Sequence, residues 1–286
     1  MAASLAQYLA ARPPELAKGP VAIILCEDQV ELGSSFAHAE RAGFKLILAL
    51  SPEKLQLTEP PAILRNLIFD TRHPEAHTRA VNAIIDAAPA DTWMYYGYNA
   101  EYLFFPFSDS RRVGEMLAFH SEERRRAMLT YVIDLYAPDL SRFPDAVSID
   151  EAMFDRTGYY ALARTGKDGQ VKDRQLDFHG GLRWRFEEYL PPSRRRIDRI
   201  GLFRTQKGLR LLADHRFNLE EYNTYSCPWH RNLTATIASF RVAKALARNP
   251  GSRLEINSFT WRHSHPFRWK AQQFMELGLM EPGQWF

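Results

Sequence analysis

The segment WMYYGYNAEYL at residues 93–103 constrains the fold more than any other part of the chain. Its first six residues are an apolar and aromatic run bounded by polar positions, the pattern of a strand covered on both faces. In open α/β sheets, ligands gather in the crevice beyond the carboxyl ends of such strands. The polar elbow that follows the run, carrying Asn99 and Glu101, is therefore the first place to look for chemistry.

The stretch upstream has the same rhythm. Residues 21–26, VAIILC, read as a buried first strand with Glu27 and Asp28 at its outgoing end. A helical pattern over 30–42 is stopped by Gly43, and the apolar strand at 44–50 is closed by Ser51 and Pro52, which completes a βαβ unit. A third strand is expected at 66–69, a helix at 74–88, and then the strand of the elbow. Alternation at these lengths predicts an α/β domain with a mainly parallel sheet and helices on both faces. Residues 1–20 read as a helical N-terminal extension ended by Lys18, Gly19 and Pro20, and residues 21–286 as the domain.

Beyond the elbow the pattern becomes strand-rich. Ser121 is read as opening a short charged helix, residues 128–136 as a β-branched and aromatic strand, and Lys167-Asp168-Gly169 as a hairpin turn between residues 158–164 and 175–178. A long helix is expected over 233–248, ended by Asn249-Pro250-Gly251. Arg183 and Arg185 are read as alternating along a strand and sharing a face. Asp214 and His215, adjacent in sequence, are read as a surface dipeptide.

A chain of 286 residues, 45% hydrophobic and 25% charged, can bury a full core. Its apolar runs are far too short to span a bilayer, and the first residues lack a basic region and a cleavage site, so a cytoplasmic protein is expected. Cys26 and Cys227 are the only cysteines and supply no zinc or disulfide spacing, so they read as buried thiols. The net charge is +3, but residues 241–270 hold seven Lys/Arg against the single acid Glu255. That region attracts anions: a nucleotide pyrophosphate, an acidic glycan, the anionic face of a membrane, or RNA. His263 and His265 alternate as a zinc pair does, without a third ligand nearby. Trp261, Phe267 and Trp269 interleave with basic residues, but no RNA-binding motif accompanies them. They read as a packed C-terminal segment, and nucleic acid is not the expected partner.

Segment 93–103 also resembles the W-(apolar)-D-x-D-E-(aromatic)-L strand of glycosyltransferase family 2-like proteins. HGGLRWRF at 179–186 is similar to the Gly-Gly-x-Arg-x-Arg segment of a bacterial subset of them, and Arg199 to Phe203 is a partial equivalent of the strand that follows it there. CPWH at 227–230 takes the place of a segment whose histidine His230 matches. The resemblance runs in order over residues 21–244. It implies a GT-A fold, a mixed sheet flanked by helices, with a nucleotide-binding half at 21–106 and an acceptor half at 107–286.

The activity implied is inverting hexosyl transfer from a nucleoside diphosphate sugar to a glycan or lipid-linked acceptor, in capsule, exopolysaccharide or cell-surface synthesis and peripheral to the inner membrane. Carried over by position, Glu101 and His230 are the catalytic residues. Glu27, Ser51, Arg79, Asn82 and Asn99 contact the donor, and His179, Arg183, Arg185 and Arg231 contact anion or acceptor. The family's metal, Mn²⁺ or Mg²⁺, is held by two aspartates whose places here belong to Tyr98 and Ala100. Neither can act as a carboxylate ligand. Three alternatives follow: arginines neutralise the pyrophosphate, Glu101 and His230 hold a weaker metal, or the fold is kept for binding alone.

Overall fold

The structure, a computed structural model, describes residues 3–224 and 232–285. Helix α1 (Leu5–Ala10) starts in a reciprocal cap, the Ser4 hydroxyl accepting from the Gln7 amide while the Gln7 side chain accepts from the Ser4 amide. The extension is docked on the domain. Leu5 and Leu16 are buried in the main core, and the Ala3 carbonyl accepts from the Ile68 amide, so the extension covers a sheet edge.

Next come β1 (Val21–Leu25), α2 (Leu32–Ala42), β2 (Leu46–Ser51), β3 (Leu64–Ile68), α3 (Ala76–Ala87) and β4 (Trp93–Tyr98). The four strands are parallel and lie in the order β3-β2-β1-β4. Every residue of β1 is buried because the strand serves two cores. Val21 and Ile23 pack with Val81, Ile84 and Ile85 of α3, whereas Ala22 and Ile24 pack with Leu32 and Phe36 of α2. This is the period-two consequence of helices on both faces. Gly43 ends α2 in the left-handed region at φ 97°, where its amide caps the last turn.

The remainder comprises β5 (Glu101–Phe104), α4 (Val113–Glu122), β6 (Ala127–Tyr136), β7 (Met153–Asp155), β8 (Tyr160–Thr165), β9 (Val171–His179), α5 (Leu182–Arg185), β10 (Asp198–Arg204), α6 (Glu220–Asn223), β11 (Ala235–Ser239), α7 (Arg241–Arg248), β12 (Ser264–Pro266) and α8 (Ala271–Glu276). Strand β10 runs antiparallel between β4 and β6, so the two halves of the chain share one ten-stranded mixed sheet. The fold is α/β, with a parallel Rossmann-like core and helices on either side. No helix among the described residues is long and apolar enough to cross a membrane.

Three expectations are corrected. Ser121 lies in the last turn of α4 rather than opening a helix. The helix expected over 233–248 is a strand followed by a shorter helix, because ATIAS is an apolar run readable either way, and both β5 and β6 offer it ladder partners. Arg183 and Arg185 sit in the single helical turn α5, so they do not share a face.

Ile23 is wholly buried in the α3-facing core, so Ile23→Ala should cost about 2–5 kcal/mol in chemical denaturation. Leu254→Ala, at a side chain left 76% exposed, should change the midpoint little.

Candidate functional site

The chain leaves β1 for β2 on one side and returns from β3 to β4 on the other, which makes the carboxyl ends of β1 and β4 a topological switch point. A cavity of about 620 Å³ opens there. Glu27 and Asp28 enter it from the loop after β1, and Tyr98 closes β4 beneath them. The loop after β3 and the start of α3 supply Arg72 and His77. Helix α7 lays Arg241, Lys244 and Arg248 along one wall, their i, i+3, i+7 spacing placing all three on one face. Arg183, Arg194, Arg196, Asp198 and His215 also line it. Seven Arg/Lys side chains thus line the cleft against three carboxylates.

Those carboxylates are already paired. Glu27 holds Arg241 through two hydrogen bonds of 2.7 Å each, and the guanidinium lies 3.6 Å from the centre of the Tyr98 ring. Burial opposes the charge on Arg241, but Glu27 and then Tyr98 outweigh it and hold it protonated beyond its ordinary range. Asp28 accepts from Lys244 at 3.0 Å and from Arg248 at 2.9 Å. Burial would raise its pKa, yet Lys244 more than offsets that and keeps it below the usual carboxylate value. Asp198 is buried with Arg216 as its ion-pair partner.

Asn99 explains why this loop is ordered. Fully buried, it accepts from the Glu27 amide at 2.9 Å and donates to Asp28 at 2.6 Å and to the Val30 carbonyl at 2.9 Å. It shapes the cleft from behind and does not line it. His77 and His215 stack with ring centres 4.5 Å apart, and His215 Nδ1 meets the Tyr96 hydroxyl at 3.0 Å. Burial, with nearby Arg241, takes His77 down to about 4, and burial with His77 and Arg199 puts His215 well below its ordinary value. Both rings are neutral at physiological pH. His77 Nε2 is buried and has no hydrogen-bond partner among the described residues.

Glu101, expected at the site, lies inside the sheet. The carboxylate is buried, pairs with Arg199, and accepts from the Tyr98 amide and from Ser239 at 3.0 Å each. Burial alone would raise its pKa; Arg199 outweighs this and lowers it. Glu101 does not line the cleft and faces Arg199 inside the sheet. Ser51, at the end of β2, is spent on the Glu53 carbonyl and on Asn66. Asn82 exchanges two hydrogen bonds with the Leu211 backbone, and Arg79 is exposed on α3 outside the cleft. His179 stacks on Tyr160. Of the two arginines of α5, Arg183 reaches the cleft while bonded to the Arg196 carbonyl and Asp134, whereas Arg185 turns away to Asp155 and Trp261. His230 and Arg231, like Cys227, lie outside the described residues.

Gly181, at φ 61°, lets the backbone close on an anion. That anion is the chain's own Asp134: a Cβ at Gly181 would stand 3.1 Å from the Asp134 carboxylate. His215, read from sequence as a surface residue, lines the cleft instead, while its neighbour Asp214 pairs with Arg164. His263 and His265 face different aromatic neighbours, Trp261 and Phe154. Trp261 donates to Asp155 and Trp269 to the Ile149 carbonyl, so the aromatic tail is packed into the domain.

The donor set does not fit Mn²⁺ or Mg²⁺. Hard cations need free carboxylate oxygens close together, and Glu27, Asp28, Asp198 and Glu101 are each committed to a protein cation. No group of three or more ligating side chains is assembled among the described residues. The sequence marks Arg241, Lys244 and Arg248 only as part of the basic region 241–270, and does not mark His77 or His215 as site residues. The helical spacing of the first three was there to be read, but nothing local marks the histidines. No protein-family model matches the chain, and no curated protein is significantly similar to it.

Replacing Glu101 with Gln leaves Arg199 buried without its counter-charge and should cost about 3–5 kcal/mol at neutral pH. Because the folded carboxyl titrates lower than the unfolded one, that contribution is full above the ordinary carboxylate range and is lost as pH falls through the folded value. The stability gap between wild type and Glu101→Gln, followed by urea denaturation, should therefore narrow on acidification.

Proposed function

We propose that the protein binds a nucleoside diphosphate sugar in the β1/β4 cleft and transfers the sugar to a hydroxyl of a glycan or lipid-linked acceptor. The observation that carries this reading is the cationic cavity at the switch point, since crevices at that place in open α/β sheets bind nucleotides. Its volume of about 620 Å³ falls in the range of small-molecule sites. The ordered sequence resemblance adds to it, and so does the β3-β2-β1-β4 core with an antiparallel strand beyond it.

Transfer breaks the bond from the anomeric carbon to the diphosphate, which leaves with the electron pair, and forms the bond to the acceptor oxygen. Arg241, Lys244 and Arg183 are the groups placed to neutralise the leaving diphosphate. The acceptor proton needs a base, and with Glu101 paired elsewhere, the cleft-lining imidazole of His77 is the neutral group placed to take it, its Nε2 buried without a hydrogen-bond partner among the described residues. An imidazole held at about 4 is a weak base. That single fact favours a second reading, in which the cleft binds the donor or a related nucleotide without turning it over.

A thermal-shift screen of uridine, guanosine, thymidine and cytidine diphosphates and their sugars decides between these. At least one should raise Tm, the shift growing with the logarithm of its concentration once that exceeds Kd. Release of free nucleoside diphosphate from the stabilising sugar donor, with acceptor present, supports transfer. Stabilisation without release supports the binding reading, and no stabilisation by any of them overturns both.

A further inference from the structure

We propose that the cleft holds the diphosphate by protein cations alone, with Arg241 in the place of a metal ion and Glu27 as the internal anion that the ligand displaces. This rests on the nucleotide reading above and names the chemistry of the same site.

The position that in a metal-binding elbow would carry a carboxylate is Tyr98, and its ring faces the Arg241 guanidinium at 3.6 Å. An aromatic face attracts a cation without neutralising it. Tyr98 therefore fixes Arg241 in place and leaves its charge available. Glu27 binds the other side of the same guanidinium bidentately, in the planar two-bond geometry a phosphate also uses. Arg241 retains 29% of its side chain exposed and Glu27 31%, so an incoming anion reaches this pair, in contrast to the sealed Glu101–Arg199 pair.

Lys244, only 5% exposed, is held by both oxygens of Asp28 and extends the same positive wall one turn along α7. Arg72 and Arg194 stand exposed at the rim with no ion pair among the described residues. A diphosphate in the cleft exchanges the Glu27 contact for its own oxygens. The displaced carboxylate turns toward solvent, and no covalent bond is made or broken. Since no carboxylate of the cleft is free to ligate a hard cation, added metal has nothing to join.

The test is calorimetric titration of the full chain with uridine, guanosine, thymidine and cytidine diphosphates and with inorganic pyrophosphate, in EDTA and in manganese. The wild type should bind its best probe equally in both. Arg241→Ala should weaken that probe about tenfold or more, the scale of a lost charge-assisted pair. Glu27→Gln should tighten it several-fold, because the competing anion is gone; a purely structural role for the pair would weaken binding in both variants. Arg142→Ala, on an exposed pair away from the cleft, sets the background, and thermal unfolding verifies that each variant folds. Should Arg241→Ala fail to fold, Glu27→Gln and Lys244→Met carry the decision. Binding that requires manganese, or a Glu27→Gln variant that binds more weakly, overturns the inference and leaves the nucleotide reading standing. No binding by any diphosphate in either condition overturns both.

Discussion

The buried ion pair between Glu101 and Arg199 holds the two halves of the molecule together. Glu101 stands where β5 begins and Arg199 on β10, 98 residues away, while the remaining lone pairs of the carboxylate are taken by the Tyr98 amide at the end of β4 and by Ser239 at the end of β11. One carboxylate thus collects four strands of the sheet. Taking two charges out of water is costly, and the hydrogen bonds to the carboxylate offset that cost, while Arg199 Nε is left without a hydrogen-bond partner among the described residues. Here the Tyr96 and Tyr98 rings also flank the guanidinium, at 5.2 and 5.6 Å. Two residues past Ser239 the chain reaches Arg241, and the Phe240 amide donates to the Ala100 carbonyl. The position of the cleft's principal cation is therefore set by the same junction.

From that junction outward, the cleft is built as a balanced charge array. Seven cations facing one cavity would repel one another, and the loop after β1 answers with Glu27 and Asp28, placed opposite α7. Asn99 makes this possible by tying the loop to the elbow through both its amide and its carbonyl groups. The neutral His77–His215 stack adds polar surface without adding charge, because burial and the surrounding arginines suppress protonation of both rings. Each of these devices depends on elements far apart in sequence.

That separation explains what could be read beforehand. The strands β1 to β4 and helices α2 and α3 were legible because each is a local pattern: a continuous apolar run, or an apolar stripe ended by Gly43 in a left-handed conformation. The elbow after β4 is legible as a turn at the end of a buried strand, but whether its carboxylate turns into the sheet or out to a ligand depends on Arg199, which nothing near residue 101 announces. ATIAS was read as helix because its strand character comes from β5 and β6 on either side. Arg183 and Arg185 were expected to act together, and one helical turn sends them to Asp134 and Asp155. His215 was dismissed because its role requires a left-handed backbone, φ 63°, that turns it toward His77.

Two Glu–Arg pairs of the domain, Glu101–Arg199 and Glu27–Arg241, are opposite in consequence because of solvent access. Glu101 and Arg199 have almost no exposed side-chain surface, so no external anion can compete and the pair acts as a fixed strut. Glu27 and Arg241 make a bidentate contact, where Arg199 reaches Glu101 through one nitrogen, but they keep nearly a third of each side chain in reach of water. An ion pair in that setting is held by a smaller net free energy, because water and ions exchange for either partner. The contact keeps the guanidinium oriented while the cleft is empty, yet presents a modest barrier to an anion with the same oxygen geometry and greater charge. Orientation in advance with low cost of release is what a binding cation requires, and only the outer pair combines the two.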